Sequence, residues 1–148
     1  MKLKSIIILS SIASTLFIAQ VFGHCQVPCG VYTDQLRFEQ MLEDQKTIEK
    51  ASKLIHELSA KTDAQSHNQL SRWVATKESH ASNIQQIVAE YFLIQRIKSS
   101  APHYEKLLVA AHEVLVSAMK TKQSVDTDVA KSLKEAILKL HKEYERKK

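Results

Sequence analysis

The only two cysteines of this chain lie close together, in the segment GHCQVPCGVY at residues 23–32. Cys25 and Cys29 are four residues apart, and His24 directly precedes the first of them. Thiolates and imidazoles bind transition metals, and a pair of thiols can also join as a disulfide. Metal binding and disulfide formation are therefore the two kinds of chemistry to weigh for this segment.

Residues 1–23 have the features of a secretory signal peptide. Lys2 and Lys4 form a basic start, residues 6–19 are mostly apolar, and small residues precede the expected cut. The alternative is an uncleaved membrane anchor, but the apolar stretch is short and interrupted by three serines. We therefore predict cleavage directly before His24, export to the periplasm or out of the cell, and a mature chain without a membrane segment.

Cleavage would place an unusual set of donor atoms at the start of the mature chain. The free amine of His24, the amide nitrogen of Cys25 and its sulfur can close two consecutive five-membered rings on one metal ion. Cys29 can supply a second sulfur, because Pro28 bends the chain between them. This set predicts a planar N2S2 site with the His24 imidazole above it, which suits Ni(II) or Cu(II). A closed zinc site is poorly supported by two cysteines and one nearby histidine.

A disulfide between Cys25 and Cys29 is the simpler interpretation of the same residues. Cysteine pairs in exported proteins usually join, and an oxidising compartment favours that outcome. The chain would then be an exported helical protein that binds a partner and has no enzymatic activity. A third interpretation is a copper or nickel carrier, which would use the same chelate without turnover.

The segment at residues 24–32 resembles the nickel hook of the nickel-containing superoxide dismutases. That family carries the pattern H-C-x-x-P-C-G-x-Y at its processed N-terminus, and this chain has HCQVPCGVY. A weaker resemblance continues in RFE at residues 37–39, KE at residues 77–78 and EYF at residues 90–92. On these residues the chain is identified as similar to that family.

The resemblance implies an enzyme that converts two superoxide ions and two protons into oxygen and hydrogen peroxide. Nickel would be the cofactor and would alternate between Ni(II) and Ni(III). The implied ligands are the amine and imidazole of His24, the amide nitrogen and thiolate of Cys25, and the thiolate of Cys29. Tyr32 would lie near the open face of the metal, where it orders water and limits access. These four residues are the predicted catalytic residues.

The resemblance also implies a supporting set of residues around the hook. Pro28 would shape the loop, Glu39 matches an acidic residue that orients the imidazole of His24, and Tyr91 matches a second tyrosine close to the hook. The family forms hexamers, so a homohexamer is expected.

This chain departs from the family pattern at two positions. Gln26 stands where the family often has an acidic residue. The family's arginine near the imidazole corresponds to His80 when the alignment runs through Lys77, and to Thr76 when it runs back from Tyr91. Both alternatives remain open at this point.

The chain after the hook is predicted to be all-α. Two glycines and two prolines in 148 residues are too few for a fold rich in strands and turns. Apolar residues recur at steps of three and four in four segments, which predicts an antiparallel four-helix bundle over residues 33–148. The first helix is expected to start near residue 33 or 34, and the second to run from about residue 68 to about residue 98. The stripe expected on the second helix comprises Trp73, Lys77, His80, Ile84, Ile87, Tyr91 and Ile94.

The charge balance is mildly basic and favours a small anion as partner. The full chain has a formal charge of +5, with 21 basic and 16 acidic side chains. Without the two lysines of the leader the balance falls to +3. No basic stripe with interleaved aromatic residues is present, so nucleic-acid binding is not expected. Superoxide, a small anion, fits this charge.

Overall fold

The computed structural model describes residues 33–146, and these residues form four long helices with no strand among them. Helix α1 spans Asp34–Ser59, α2 spans Ala64–Gln86 and continues as a π-helix over Ile87–Arg96, α3 spans Tyr104–Gln123, and α4 spans Thr127–Glu145. The predicted all-α class is confirmed. The leader and the hook lie outside the described residues, so the signal peptide and the domain boundary at residue 33 stay predictions.

Neighbouring helices run antiparallel, as the hydrogen bonds between them show. Between α1 and α4, Tyr144 donates to Asp34 at 2.9 Å, while Gln45 donates to the carbonyl of Ala130 at 2.9 Å. The same reversed order holds between α2 and α3. Because α1 also packs on α2, and α3 on α4, the four helices close a ring. The predicted antiparallel four-helix bundle is confirmed.

The predicted apolar faces meet in one core that runs through the bundle. Every helix contributes side chains that are inaccessible to solvent, and burying each of them stabilises the fold by about 1.5–3 kcal/mol. The largest fully buried apolar side chains are Phe38, Met41, Ile48, Ile84, Val88, Phe92, Leu107, Val114, Leu133, Ile137 and Leu140.

The second helix changes its hydrogen-bond pattern at Ile87. From there to Arg96 it is π-helical, with bonds between residues five apart, and the N–H of Ile97 bonds the carbonyl of Phe92 at 2.8 Å. The predicted stripe is confirmed at Ile87 and Tyr91, which are buried, but is wrong at Ile94. Ile94, expected to be buried, is 61% exposed, whereas Phe92 is fully buried. A π-helix of this length is rare, and π-helical turns are frequent at functional sites.

The predicted start of the second helix is also wrong, by four residues. The Asp63 carboxylate accepts hydrogen bonds from the N–H of Ser66 at 2.9 Å and from its hydroxyl at 2.6 Å. Asp63 is therefore an N-cap, and α2 begins at Ala64. The polar composition of residues 61–66 predicts a connection, although four of those six residues cap or start the helix.

Lys77 holds the far end of α3, where the chain turns into α4. Its side chain is buried, and Nζ donates to the carbonyls of Thr121, Lys122 at 3.0 Å and Ser124 at 2.9 Å. Burial lowers the pKa of Lys77, but three acceptors match the three N–H bonds of an ammonium group. The cation also lies at a helix C-terminus, where positive charge is favourable. Lys77 is thus a structural residue at the end of the bundle away from the start of α1.

Replacing Lys77 by methionine should destabilise the fold, because three carbonyls at the end of α3 lose their donor. We expect Lys77→Met to lower the free energy of unfolding by about 1.5–3 kcal/mol, the usual range for hydrogen bonds to a charged group. Urea unfolding followed by circular dichroism measures this change. Lys134→Met, at an exposed position of α4, is the control and should shift the value by less than about 0.5 kcal/mol. Equal effects of the two variants would contradict the capping role.

Candidate functional site

The described chain begins where the hook must join the bundle. Thr33 follows Tyr32 directly, and its hydroxyl accepts a hydrogen bond from the N–H of Leu36 at 3.2 Å. Thr33 is therefore the N-cap of α1. The residue after it, Asp34, is the first of the helix. Whatever holds Thr33 and Asp34 in place also fixes the point from which the hook extends.

Asp34 is held by three side chains from two other helical segments. Its Oδ1 accepts from the Tyr91 hydroxyl at 2.8 Å and from Arg96 Nε at 2.8 Å. Its Oδ2 accepts from the Tyr144 hydroxyl at 2.9 Å and from Arg96 Nη2 at 2.9 Å. Each oxygen thus receives one hydroxyl and one arm of a bidentate guanidinium, which is the strong geometry for such a pair. We call these four residues the Asp34 clamp.

The clamp fixes the charge states of its members. The Asp34 side chain is only 11% exposed, and this burial alone would raise the pKa of its carboxyl. The hydrogen bonds from Arg96, Tyr91 and Tyr144 oppose burial, and the net pKa of Asp34 lies below its ordinary value. Burial and the bond to Asp34 raise the pKa of Tyr91 to about 12 and also raise the pKa of Tyr144. Both tyrosines are therefore neutral donors to an ionised carboxylate at neutral pH.

An aromatic cluster lies beneath the clamp and supports it. Phe38, one turn after Asp34 on α1, packs on Phe92 with ring centroids 4.6 Å apart and on Tyr144 at 5.7 Å. Phe92 also meets Tyr144 and Tyr91 edge-on, at 5.4 and 5.2 Å. Such pairs are worth about 0.5–1.5 kcal/mol each beyond the burial of their area. The rings of both clamp tyrosines are therefore packed in place while their hydroxyl groups reach Asp34.

Two of the sequence-predicted site residues lie in the described part of the chain. Tyr91 is buried in the clamp, at the end of the bundle where the hook joins. Glu39 is exposed on α1, and its Oε1 accepts from Gln35 Nε2 at 2.9 Å. His24, Cys25, Pro28, Cys29 and Tyr32 fall outside the described residues, so their predicted roles stay predictions.

His80 makes a polar contact between α1 and α2. Its Nδ1 lies 2.6 Å from Oδ1 of Asp44, and Asn83 Nδ2 donates to the other carboxylate oxygen at 2.7 Å. Asp44 is buried, whereas the side chain of His80 is 36% exposed. Thr76, the other residue considered for the family's arginine position, is partly buried one turn earlier on α2. Of the two, His80 is the one seen here to bond a carboxylate of α1.

Two shallow clefts between α1 and α2 connect His80 with Tyr91. One, of about 310 Å³, is lined by Asp44, His80, Asn83 and others. The other, of about 170 Å³, includes Tyr91 in its lining and shares Asn83 with the first. A polar groove therefore runs along the bundle toward the end where the hook is attached.

The described helices hold no second candidate metal site and no membrane-spanning segment. Within residues 33–146, no group of three or more His, Cys, Asp or Glu side chains is placed to hold a metal ion. None of the helices described is both long and apolar enough to cross a membrane.

Comparison with models of protein families matches residues 19–148 to the family described as nickel-containing superoxide dismutase. The chain belongs to this family. The match covers most of the chain and includes the hook segment together with all four helices. The resemblance inferred from the sequence is confirmed, and the protein is an enzyme, a superoxide dismutase with nickel as its cofactor and superoxide as its substrate. Searches of curated proteins and of solved structures returned no match.

The sequence indicates little of the clamp. Asp34 is recognisable there only as a helix start, and nothing marks the partner of Tyr144, although a tyrosine needs a partner for its hydroxyl when buried. Arg96 carried no signal, because its contact with Asp34 depends on the π-helix. Two features of the sequence could have indicated the contact of Asp34 with Tyr144. They are an acidic residue at the start of one helix and a tyrosine near the end of another.

Asp34→Asn should weaken the fold most at neutral pH and least in acid. The folded pKa of Asp34 is below its ordinary value of 3.8, so its contribution to stability is present above about pH 4 and is lost as the pH falls through the folded pKa. We expect the variant to lose about 2 kcal/mol of unfolding free energy at pH 7, and this deficit should shrink below pH 4. Urea unfolding over a pH series measures it. Asp128→Asn, at an exposed ion pair, should leave the profile unchanged, and a pH-independent deficit in Asp34→Asn would contradict the argument.

The contribution of Tyr91 to stability should be lost in alkali rather than in acid. Its pKa rises from 10.0 to about 12 on folding, so folding favours the protonated phenol, and stability falls as the pH rises between those values. In Tyr91→Phe this part of the alkaline loss should disappear. Tyr104→Phe, at the start of α3, should keep it. The check is the unfolding free energy at several pH values above 9, and an unchanged alkaline slope in Tyr91→Phe would contradict the prediction.

Proposed function

We propose that this chain dismutates superoxide at its processed N-terminus, in the segment of residues 24–32. The supporting observation is that the match to the family extends over residues 19–148 and so includes the segment that holds both cysteines. The proposed nickel ligands are the amine and imidazole of His24, the amide nitrogen and thiolate of Cys25, and the thiolate of Cys29.

The donor set fits nickel by its chemistry. Two thiolates with an amine and a deprotonated amide are strong donors of the kind that Ni(II) accepts, and they make a higher oxidation state accessible. When bound, nickel supplies a one-electron cycle between Ni(II) and Ni(III). In the overall reaction one superoxide loses an electron and becomes oxygen, while the other gains an electron and two protons and becomes hydrogen peroxide.

The residues around the hook then have distinct tasks in this proposal. Tyr32 orders water and limits access of larger molecules, and Pro28 sets the bend of the loop. Glu39, exposed near the start of α1, is available to hydrogen-bond the imidazole of His24 and so to fix its orientation. Tyr91 is rigidly held between Asp34 and Phe92 and forms a fixed wall near the hook.

Processing is part of the proposed mechanism. The amine of His24 exists only after the bond to Gly23 is cut, so removal of residues 1–23 creates a ligand as well as a mature chain. We propose that the leader directs export to the periplasm or the exterior, and that the mature chains assemble as a homohexamer like their family. The mature charge of +3 favours the approach of an anionic substrate.

Adding one residue before His24 should separate this mechanism from the alternatives. We expect a mature chain with an alanine in front of His24 to lose dismutase activity at least about 100-fold, because a primary ligand is lost and even outer groups at metal sites are worth 10–100-fold. Cys25→Ser and Cys29→Ser should lose activity in the same way. The measurement is the rate of superoxide decay together with the nickel content per chain.

The matched control adds the alanine at the other terminus, after Lys148, and should retain wild-type activity. Retained activity in the chain extended before His24 would contradict the amine ligand. A metal-free, unreduced wild type without free thiols would instead favour the Cys25–Cys29 disulfide. One bound nickel without turnover would favour a carrier.

A further inference from the structure

We propose that the π-helix exists to build the Asp34 clamp, and that Asp34, Arg96 and Tyr144 are positioning residues for the nickel hook. This inference rests on the proposed function, because it assigns the residues that hold the proposed site in place. None of the three is a nickel ligand. They act by fixing the start of α1 at Thr33 and Asp34, to which the hook is joined.

Tyr91 and Arg96 are five residues apart on the same helix. In an α-helix of 3.6 residues per turn, side chains at this spacing point about 140° apart, so they would not meet at one carboxylate. In a π-helix, residues five apart are joined by a hydrogen bond and lie one above the other. Accordingly, Arg96 Cζ lies 5.7 Å from the centroid of the Tyr91 ring, and both side chains bond Oδ1 of Asp34 at 2.8 Å.

The clamp restrains the start of α1. Helix ends fray, and among the described residues the Thr33 side chain caps the first turn of α1. The clamp adds bonds from the π-helix and from Tyr144 on α4, so Asp34 is held from two directions. Because Asp34 is two residues after Tyr32, its position sets where the hook leaves the bundle. A displacement of about 1 Å at such a point is enough to cost roughly 100-fold in a catalytic rate.

A comparison with Lys77 distinguishes a positioning role of the clamp from a purely stabilising one. Lys77 is also a buried charged residue with three hydrogen bonds, but it lies at the opposite end of the bundle. If the clamp only stabilises the fold, Lys77→Met and a clamp variant of equal instability will affect nickel binding equally. If the clamp positions the hook, only the clamp variant will weaken nickel binding.

The experiment uses the full mature chain beginning at His24, reduced and metal-free. Nickel affinity is measured by competition with a chelator, the free energy of unfolding by urea, and kcat/KM by superoxide decay after loading. The variants are Asp34→Asn, Tyr144→Phe and the exchange Gln95→Arg with Arg96→Gln. The exchange keeps composition and charge but moves the guanidinium to four residues from Tyr91. In the wild type, the side chain at position 95 donates to the carbonyl of Glu90 at 3.2 Å rather than to Asp34.

Each clamp variant is expected to bind nickel roughly 10- to 100-fold more weakly, as when a group that orients a metal ligand is removed. Lys77→Met should bind nickel within about twofold of wild type, because distant sites act independently. Wild-type affinity in Asp34→Asn, or an equal loss in Lys77→Met, would overturn the positioning role. Wild-type affinity in the Gln95→Arg, Arg96→Gln exchange would overturn the role of the π-helix. If Asp34→Asn does not fold, Tyr144→Phe, which keeps the charge pair, decides the matter.

Failure of this inference differs from failure of the proposed function. A wild-type chain that starts at His24 and takes up no nickel would overturn both. A wild-type chain that binds nickel, loses it when a residue is added before His24, and keeps it in Asp34→Asn would overturn the positioning role alone.

Discussion

The carboxylate of Asp34 is the contact on which the hook end of the bundle depends. It is a nearly buried negative charge at a helix N-terminus, where the helix dipole favours it and where Arg96, Tyr91 and Tyr144 satisfy both oxygens. If the carboxylate were removed, a guanidinium and two hydroxyl groups would each lose their bond to Asp34. Three helical segments therefore share one electrostatic contact, and it lies two residues from the predicted hook.

Buried charged side chains have different roles at the two ends of the bundle. At the far end, Lys77 satisfies carbonyls where α3 stops, and its role is explained by the fold alone. At the hook end, the Asp34 clamp lies over packed rings of Phe38 and Phe92 and ties the start of α1 to the π-helix and to α4. A nine-residue hook is far too short to bury a core of its own. A rigid bundle end is what such a segment needs if its ligands are to stay in one arrangement.

The sequence predicted the architecture well because helical periodicity and low glycine content are direct consequences of the fold. Phe38, Met41, Leu133 and Leu140 are buried as their spacing requires. The family was recognisable because the hook motif is an ordered run of residues at a predicted chain start, and the match over residues 19–148 bears this out. The π-helix could not be predicted, because its register is chosen by tertiary contacts of Tyr91 and Arg96 and leaves no period in the sequence. A regular α-helical period therefore predicts a buried Ile94, which is in fact exposed, and gives no sign of the clamp.

A native mass spectrum would show whether nickel is bound at a processed N-terminus. The protein would be exported from nickel-supplied cells and measured without reduction. We expect a chain that begins at His24 and carries one nickel ion. A chain that still begins at Met1 would contradict this expectation, because the amine ligand would not exist. A chain that begins at His24, lacks metal and is two hydrogens lighter would also contradict it and would show that Cys25 and Cys29 had joined.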